Sequence, residues 1–164
     1  MKLYRIILVD DEEEVRKSII RKIKWEENGF LVAGDAENGE DALEKIELLE
    51  PDLILTDIRM PYMDGLTLAE RVRQKYPSMK IVIFSGYDDF EYAKQAIKLN
   101  VTEYILKPVN VEELTAILQK IKANLDQEIE QKRNVNLLRE NYIKSLPILR
   151  EQFLNELVNA PVAS

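Results

Sequence analysis

The chain of 164 residues has no cysteine and no histidine. Without cysteine there is no disulfide framework and no thiolate site, which fits a reducing compartment. Without histidine there are no imidazole metal ligands, no histidine base and no phosphohistidine of its own, and a Ser-His-Asp triad is excluded. No apolar run approaches the ~20 residues that span a bilayer. The N-terminus opens on a strand pattern rather than an apolar leader with a cleavage site, so a cytoplasmic location is expected. Positive charge is also short: 23 Lys and Arg face 30 Asp and Glu, a net charge of -7. That balance argues against nucleic-acid binding by this chain itself. Most of the acidity lies before residue 111, and the remainder of the chain is nearly balanced. What is plentiful is apolar: 46% hydrophobic content over this length buries one core and a little more.

Short β-branched runs alternate with helical stripes along most of the chain. Strands are expected over Leu3–Val9, Phe30–Ala36, Leu53–Thr56, Ile81–Phe84 and Val101–Leu106. Glu12–Trp25 carries Val15, Ile19, Ile20 and Ile23 on one helical face. Asn38-Gly39-Glu40-Asp41 opens a second helix with Ala42, Leu43, Ile46 and Leu49 on its apolar side. Further helices are expected over Leu66–Tyr76, stopped by Pro77-Ser78, and over Phe90–Leu99. Strands separated by single helices imply a parallel sheet with right-handed crossovers. The expected fold is α/β: a flavodoxin-like (βα)5 doubly wound sheet of strand order 2-1-3-4-5 with a long C-terminal helical extension.

From Val111 the pattern changes. Leu114, Leu118, Ile121 and Leu125 continue a helix with no stop signal before Pro147. Their 4-3-4 spacing suggests a dimeric coiled coil. Glu128 and Lys132 occupy the next apolar positions, so a solvated linker helix is the alternative. After Pro147, Leu149, Phe153, Leu154, Leu157 and Val158 form another amphipathic stretch. Nothing else in the chain is left to cover it, which points to a partner chain or a downstream domain.

Charges stand at the ends of three of the apolar runs. Asp10 and Asp11 follow Ile6-Ile7-Leu8-Val9, Asp57 follows Leu53-Ile54-Leu55-Thr56, and Lys107 follows the run that ends at Leu106. Such runs read as buried parallel strands, and ligands bind at their C-terminal edge. Carboxylates gathered there repel one another unless a cation joins them, and Mg²⁺ is the hard, oxygen-seeking ion that fits.

These residues fall within longer motifs. Ile-Leu-Val-Asp-Asp-Glu (7–12), Leu-Thr-Asp-Ile-Arg-Met-Pro-Tyr-Met-Asp-Gly (55–65), the Ser85-Gly86 turn and Tyr104-Ile-Leu-Lys107-Pro108 resemble the receiver domain of bacterial two-component response regulators. The resemblance covers residues 3–122, about three-quarters of the chain. It implies that Asp57 is the phosphoacceptor and that Asp11 and Asp57 are side-chain ligands of Mg²⁺. Asp10 would act on the ion mainly through water, and Arg59 would lend its backbone carbonyl. It also implies that Ser85 bonds a phosphoryl oxygen and that Lys107 pairs first with Asp57 and then with phosphate, across a cis Lys-Pro bond. Tyr104 is implied as the aromatic switch, turning into space that Ser85 vacates and so altering the face where many receivers dimerise. The stretch 84–97 and Leu149-Arg-Glu-Gln-Phe-Leu (149–154) resemble the YesN-like subgroup, whose members carry an AraC-type helix-turn-helix domain. On that footing residues 1–122 are the receiver. Residues 123–164 are a helical linker, or coiled coil, leading to an effector domain absent from this chain. The implied partners are a sensor histidine kinase, since the donor histidine must come from elsewhere, and a second copy in a homodimer.

Each residue has a plainer reading. Glu12, Glu13 and Glu14 suit a helix N-terminus through the macrodipole alone. Lys107 by itself would be a solvated lysine, Ser85-Gly86 a turn, and Tyr104 a rim aromatic. A haloacid-dehalogenase-type phosphatase also uses an aspartyl nucleophile, Mg²⁺ and a lysine. It wants a second Asp two residues after the nucleophile, where this chain has Arg59. A phosphorylation-independent scaffold usually lacks one of the site residues, and here all are present. The reading is therefore of a switch, not an enzyme, catalysing only its own phosphorylation and dephosphorylation. Arg59 and Tyr87 flank the acceptor and the serine at positions that tune rates in the family. Their bulk is expected to shield the acyl phosphate from water, giving slow autodephosphorylation. A half-life of seconds, measured by decay of the phosphorylated mass under physiological conditions, would refute that expectation.

Overall fold

The structure is a computed structural model that describes the backbone of residues 2–86 and 90–159 and the side chains of 2–86, 91 and 94–144. Five strands, β1 (Tyr4–Val9), β2 (Phe30–Ala36), β3 (Leu53–Asp57), β4 (Lys80–Ser85) and β5 (Glu103–Leu106), form one sheet in the order β2-β1-β3-β4-β5. All neighbouring pairs are parallel, as expected. The helices are α1 (Glu13–Lys22), α2 (Gly39–Leu49), α3 (Gly65–Lys75), α4 (Phe90–Lys98) and α5 (Val111–Asn159), with a 3-10 turn at Glu26–Asn28. The chain divides into two compact units, Met1–Lys122 and Ala123–Ser164.

The central strands β1, β3 and β4 are buried on both faces along most of their length, since alternate residues of each point to opposite sides and both sets are apolar. Ile7, Val9, Ile54, Ile81 and Ile83 join Ala42, Ile46, Leu68, Ala69 and Val72 of α2 and α3 in one core cluster. The alternate residues Ile6, Leu8, Leu53, Leu55, Val82 and Phe84 are equally buried. Ile19 of α1 and Leu114, Leu118 and Ile121 of α5 are buried too and complete the second layer. Burying each such side chain stabilises the fold by about 1.5–3 kcal/mol before entropy is counted.

Side chains in the connecting loops set where helices begin. Asn38 accepts the Asp41 amide at 2.8 Å, Asp64 the Thr67 amide at 2.7 Å, and Asn110 the amides of Glu112 and Glu113 at 2.8 and 3.1 Å. Each removes orphan donors from a helix N-terminus. The Arg73 guanidinium donates to the carbonyls of Pro77 at 2.7 Å, Met79 at 2.8 Å and Asn100 at 3.0 Å, tying the loop before β4 to the loop before β5.

Several boundaries differ from the sequence expectation. Helix α1 stops at Lys22; Ile23 turns extended, and Trp25 is buried beyond the helix with its indole N–H on the Ile20 carbonyl at 3.1 Å. β5 starts at Glu103, not Val101, because Asn100 takes a left-handed conformation and the Val101 amide bonds back to Ala96 at 3.3 Å. β3 and β4 each run one residue further than expected, so Asp57 and Ser85 are paired within the ladder. α5 continues through Pro147 to Asn159. A proline removes one amide donor and kinks a helix without always ending it. The apolar side chains expected beyond Pro147 lie outside the described residues. Among the described residues, no helix is long and apolar enough to cross a membrane.

One glycine joins the fold to the acidic edge. The Gly65 amide, at the start of α3, donates to the Ile58 carbonyl at 2.8 Å. A Cβ there would stand 2.2 Å from the Asp57 carbonyl oxygen and 2.9 Å from Ile58 Cα. Gly65→Ala must therefore push α3 off the end of β3. We expect a loss of about 1–3 kcal/mol in urea unfolding. An unchanged midpoint would show that this approach tolerates a methyl group.

Candidate functional site

The C-terminal edge of the sheet gathers residues from four strands. Asp10 follows β1, Asp57 and Ser85 end β3 and β4, and Lys107 follows β5. Asp10, Asp57 and Ser85 are buried, whereas Asp11 is exposed. Carboxylate oxygens of Asp10, Asp11 and Asp57 lie within 4.8 Å of one another. The Lys107 ammonium reaches into this group, 3.1 Å from Asp10 Oδ2 and 3.2 Å from Asp57 Oδ1. Its amide donates to the Ser85 carbonyl at 2.7 Å, and its peptide bond to Pro108 is cis.

Local backbone bonds aim the acids. The Glu12 amide donates to Asp10 Oδ1 and the Ile58 amide to Asp57 Oδ1, both at 2.9 Å. Ser85 Oγ donates to the Gly86 carbonyl at 3.2 Å and accepts the hydroxyl of Tyr104, so the two switch residues named from the sequence are in direct contact. The Arg59 side chain is exposed. Tyr87 lies outside the described residues.

Like charges about 4 Å apart repel by ~4 kcal/mol at an effective dielectric of 20. Burial first, and Asp10 second, push the Asp57 carboxyl above the usual carboxylate range; Lys107 and the Ile58 amide offset this only in part. Burial pulls the Lys107 ammonium down, but Asp57 and Asp10 outweigh it and hold the group above its ordinary value. Three carboxylates and one ammonium leave two negative charges, which a divalent cation balances. The donors are all hard carboxylate oxygens, one of them exposed on the open side, and this set fits Mg²⁺.

Some polar residues beside the site had no role in the sequence reading. Arg16 of α1 donates from Nη1 to the Asp10 carbonyl at 2.6 Å and from Nε to Asp35 Oδ2 at 2.9 Å. Lys45 of α2 bonds the Asp35 carbonyl and, at 3.1 Å, Asp41. The one available signal was a charged residue in α1 directly after Val15, within the turn that precedes Ile19.

A five-stranded parallel sheet of this order, with an acidic trio and a lysine at its C-terminal edge, defines a receiver. Residues 6–119 match the response regulator receiver domain family, and the chain belongs to that family. It is similar to the transcriptional regulatory protein YesN of Bacillus subtilis, 37% identical over 158 residues, covering 95% of this chain and 42% of that protein. It is also similar to the transcriptional regulatory protein HptR of Staphylococcus aureus, 31% identical over 157 residues, covering 96% and 61%. The chain thus spans about two-fifths to three-fifths of the length of these curated relatives. A similar solved structure is the receiver domain of AraT, a response regulator from Geobacillus stearothermophilus, with 39% identity and a TM-score of 0.73 over 77% of this chain and 98% of that one. A two-component transcriptional regulator AraC from Clostridium phytofermentans follows, with 35% identity and a TM-score of 0.70 over 76% and 98%.

The shifts carry a signed consequence. A carboxyl raised in the folded state adds stability at pH below its unfolded value and loses it as pH rises through the folded value. At neutral pH, ionised Asp57 therefore works against folding. Lys107 has the same sign but a far higher window, so its contribution is lost only in strong alkali. Asp57→Asn is expected to raise the thermal midpoint by a few degrees at neutral pH without divalent cation. That advantage should disappear by about pH 4. A lower neutral-pH midpoint in the variant would mean that the bond to Lys107 outweighs burial.

Proposed function

We propose that this receiver accepts a phosphoryl group on Asp57 from the phosphohistidine of a sensor histidine kinase in the cytoplasm. Asp10, Asp11, Asp57 and the Arg59 backbone carbonyl would hold Mg²⁺. The observation that carries the reading is the ammonium of Lys107 set between Asp10 and Asp57 at the sheet edge, with Asp11 completing the carboxylate group. A groove of about 590 Å³ lined by Val15, Ser18, Ile19, Gly86, Lys107 and Pro108 supports it, because it gives a donor protein a mostly apolar approach to the same edge.

An Asp57 carboxylate oxygen attacks phosphorus. The new O–P bond forms as the P–N bond to the donor imidazole breaks, and the electron pair returns to that imidazole, which later takes a proton from water. Bound Mg²⁺ supplies neutralisation of the carboxylates and the phosphoryl oxygens, without which the anions could not approach. Lys107 exchanges Asp57 for a phosphoryl oxygen as a mobile point charge. Ser85 Oγ, which donates to the Gly86 carbonyl at 3.2 Å, turns its proton to another phosphoryl oxygen. Tyr104 donates to that same Oγ, so a shift of the serine oxygen toward phosphate would alter the bond that holds the ring. The ring packs against the core cluster that includes Ala96 of α4, as does Leu99 just beyond that helix, which would carry a local charge change to that face.

On this reading the chain is not an enzyme toward a separate substrate. Its second unit is a helical linker toward a DNA-binding domain and pairs with a second copy. Val135, Leu138 and Tyr142 are exposed on α5 at three- and four-residue steps, in keeping with such a pairing. The deciding experiment is intact mass after incubation with acetyl phosphate and Mg²⁺, beside Asp57→Asn. A gain of one phosphoryl group, lost in the variant and without Mg²⁺, is expected. No gain in either protein would favour a phosphorylation-independent scaffold.

A further inference from the structure

The β1–α1 turn carries two of the three carboxylates on three consecutive residues, Asp10-Asp11-Glu12, and its geometry is held from outside. Glu12 at the start of α1 makes no side-chain cap bond. The Asp10 amide is tied to the Ala36 carbonyl at 3.1 Å, and its carboxylate is committed to the Glu12 amide and to Lys107. The Asp10 carbonyl is taken by Arg16 Nη1 at 2.6 Å. The same guanidinium is fixed by Asp35 Oδ2 at 2.9 Å, and its side chain is only 12% exposed. Asp35 is in turn anchored through its own carbonyl by Lys45, which pairs with Asp41 on α2. A line of polar contacts therefore runs from α2, across the end of β2, to the main chain of the turn that presents Asp10 and Asp11.

We propose that Arg16 is a positioning residue for the metal-holding carboxylates, acting through the Asp10 main chain with Asp35 as its anchor. This rests on the reading that Asp10, Asp11 and Asp57 bind Mg²⁺. Geometry and charge give opposite signs here, which makes the role separable. A guanidinium 2.6 Å from the Asp10 carbonyl repels a cation arriving at the nearby carboxylates, so by charge alone its removal would tighten Mg²⁺ binding. If Arg16 instead holds the turn in a ligating shape, its removal loosens binding despite the gain in negative charge. A planar fork that satisfies a carbonyl and a carboxylate at once is not replaced by an ammonium. Arg16→Lys therefore keeps the charge and loses the geometry.

The test is calorimetric titration of the full chain with MgCl₂ for wild type, Arg16→Gln and Arg16→Lys, each with its thermal unfolding curve. We expect Arg16→Gln to weaken Mg²⁺ binding about tenfold, the lower end of what outer partners of metal ligands contribute. Arg16→Lys, which loses the fork and keeps the repelling charge, should weaken it at least as much. Asp35→Asn combined with Arg16→Gln should add little to Arg16→Gln alone, because the anchor acts through the guanidinium. Tighter binding in Arg16→Gln with no change in Arg16→Lys would overturn the proposal in favour of a pure charge effect. A lowered unfolding midpoint with unchanged affinity would overturn it in favour of a purely structural bond. Should Arg16→Gln fail to fold, Arg16→Lys decides alone. If wild type itself takes up no Mg²⁺, the metal reading fails and the inference with it, an outcome distinct from equal binding by wild type and variants.

Discussion

Burying two carboxylates side by side at the end of a β-sheet is unfavourable twice over, once for desolvation and once for their mutual repulsion. Lys107 is the interaction that lets this fold contain Asp10 and Asp57 together, at 3.1 and 3.2 Å from its ammonium. Its compensation is incomplete, since Asp57 remains raised and two negative charges remain in excess. That residual imbalance is the chemical potential of the site. It favours a divalent cation, and on the proposed function that cation would admit a phosphoryl group whose charge is otherwise repelled.

The sheet order places the imbalance where it can be used. β1 lies between β2 and β3, so the connections leave in opposite directions on either side of it and open a crevice at the strand ends. Asp10 and Asp57 stand on neighbouring strands beside that crevice, and Ser85 and Lys107 come from the next two. Asp10, Asp57 and Ser85 are rooted at the ends of strands buried on both faces, and Lys107 at the end of the half-buried edge strand β5. The acids are further held by single amides, those of Glu12 and Ile58. Rigid roots and few degrees of freedom suit a site that must present charge at fixed distances. The Ser85–Tyr104 pair leads from this edge to the α4 side of the core.

The two units differ in how they satisfy their apolar residues. Within the first, Leu114, Leu118 and Ile121 are wholly buried against the sandwich. In the second, Ile129, Val135, Leu137, Leu138, Tyr142 and Ile143 are exposed. An isolated helix draws little stability from its own hydrogen bonds and relies on packing of an apolar face. The second unit therefore leaves on its surface apolar side chains of the kind that the first unit's helices bury.

The strands, and the burial of β1, β3 and β4, were legible in the sequence because continuous β-branched runs leave no polar face to expose, whereas the edge strands β2 and β5 are only partly buried. Asp10, Asp11, Asp57 and Lys107 were legible because each charge interrupts such a run at its end. Ser85 and Tyr104 were legible only through resemblance, since a serine before glycine and a rim tyrosine carry no pattern of their own. The start of β5 escaped because the left-handed Asn100 and the amides returning to α4 follow from backbone geometry, not from residue type. Arg16 escaped for a related reason. Its partners are a main-chain carbonyl, present in every residue, and an aspartate 19 positions away. The linear order of hydrophobic and charged residues determined the layers, the sheet and which charges reach its edge. Only the tertiary structure decided how those charges are shared and which neighbours hold them, because a hydrogen bond depends on position in space and two residues distant in sequence meet only once the sheet has formed.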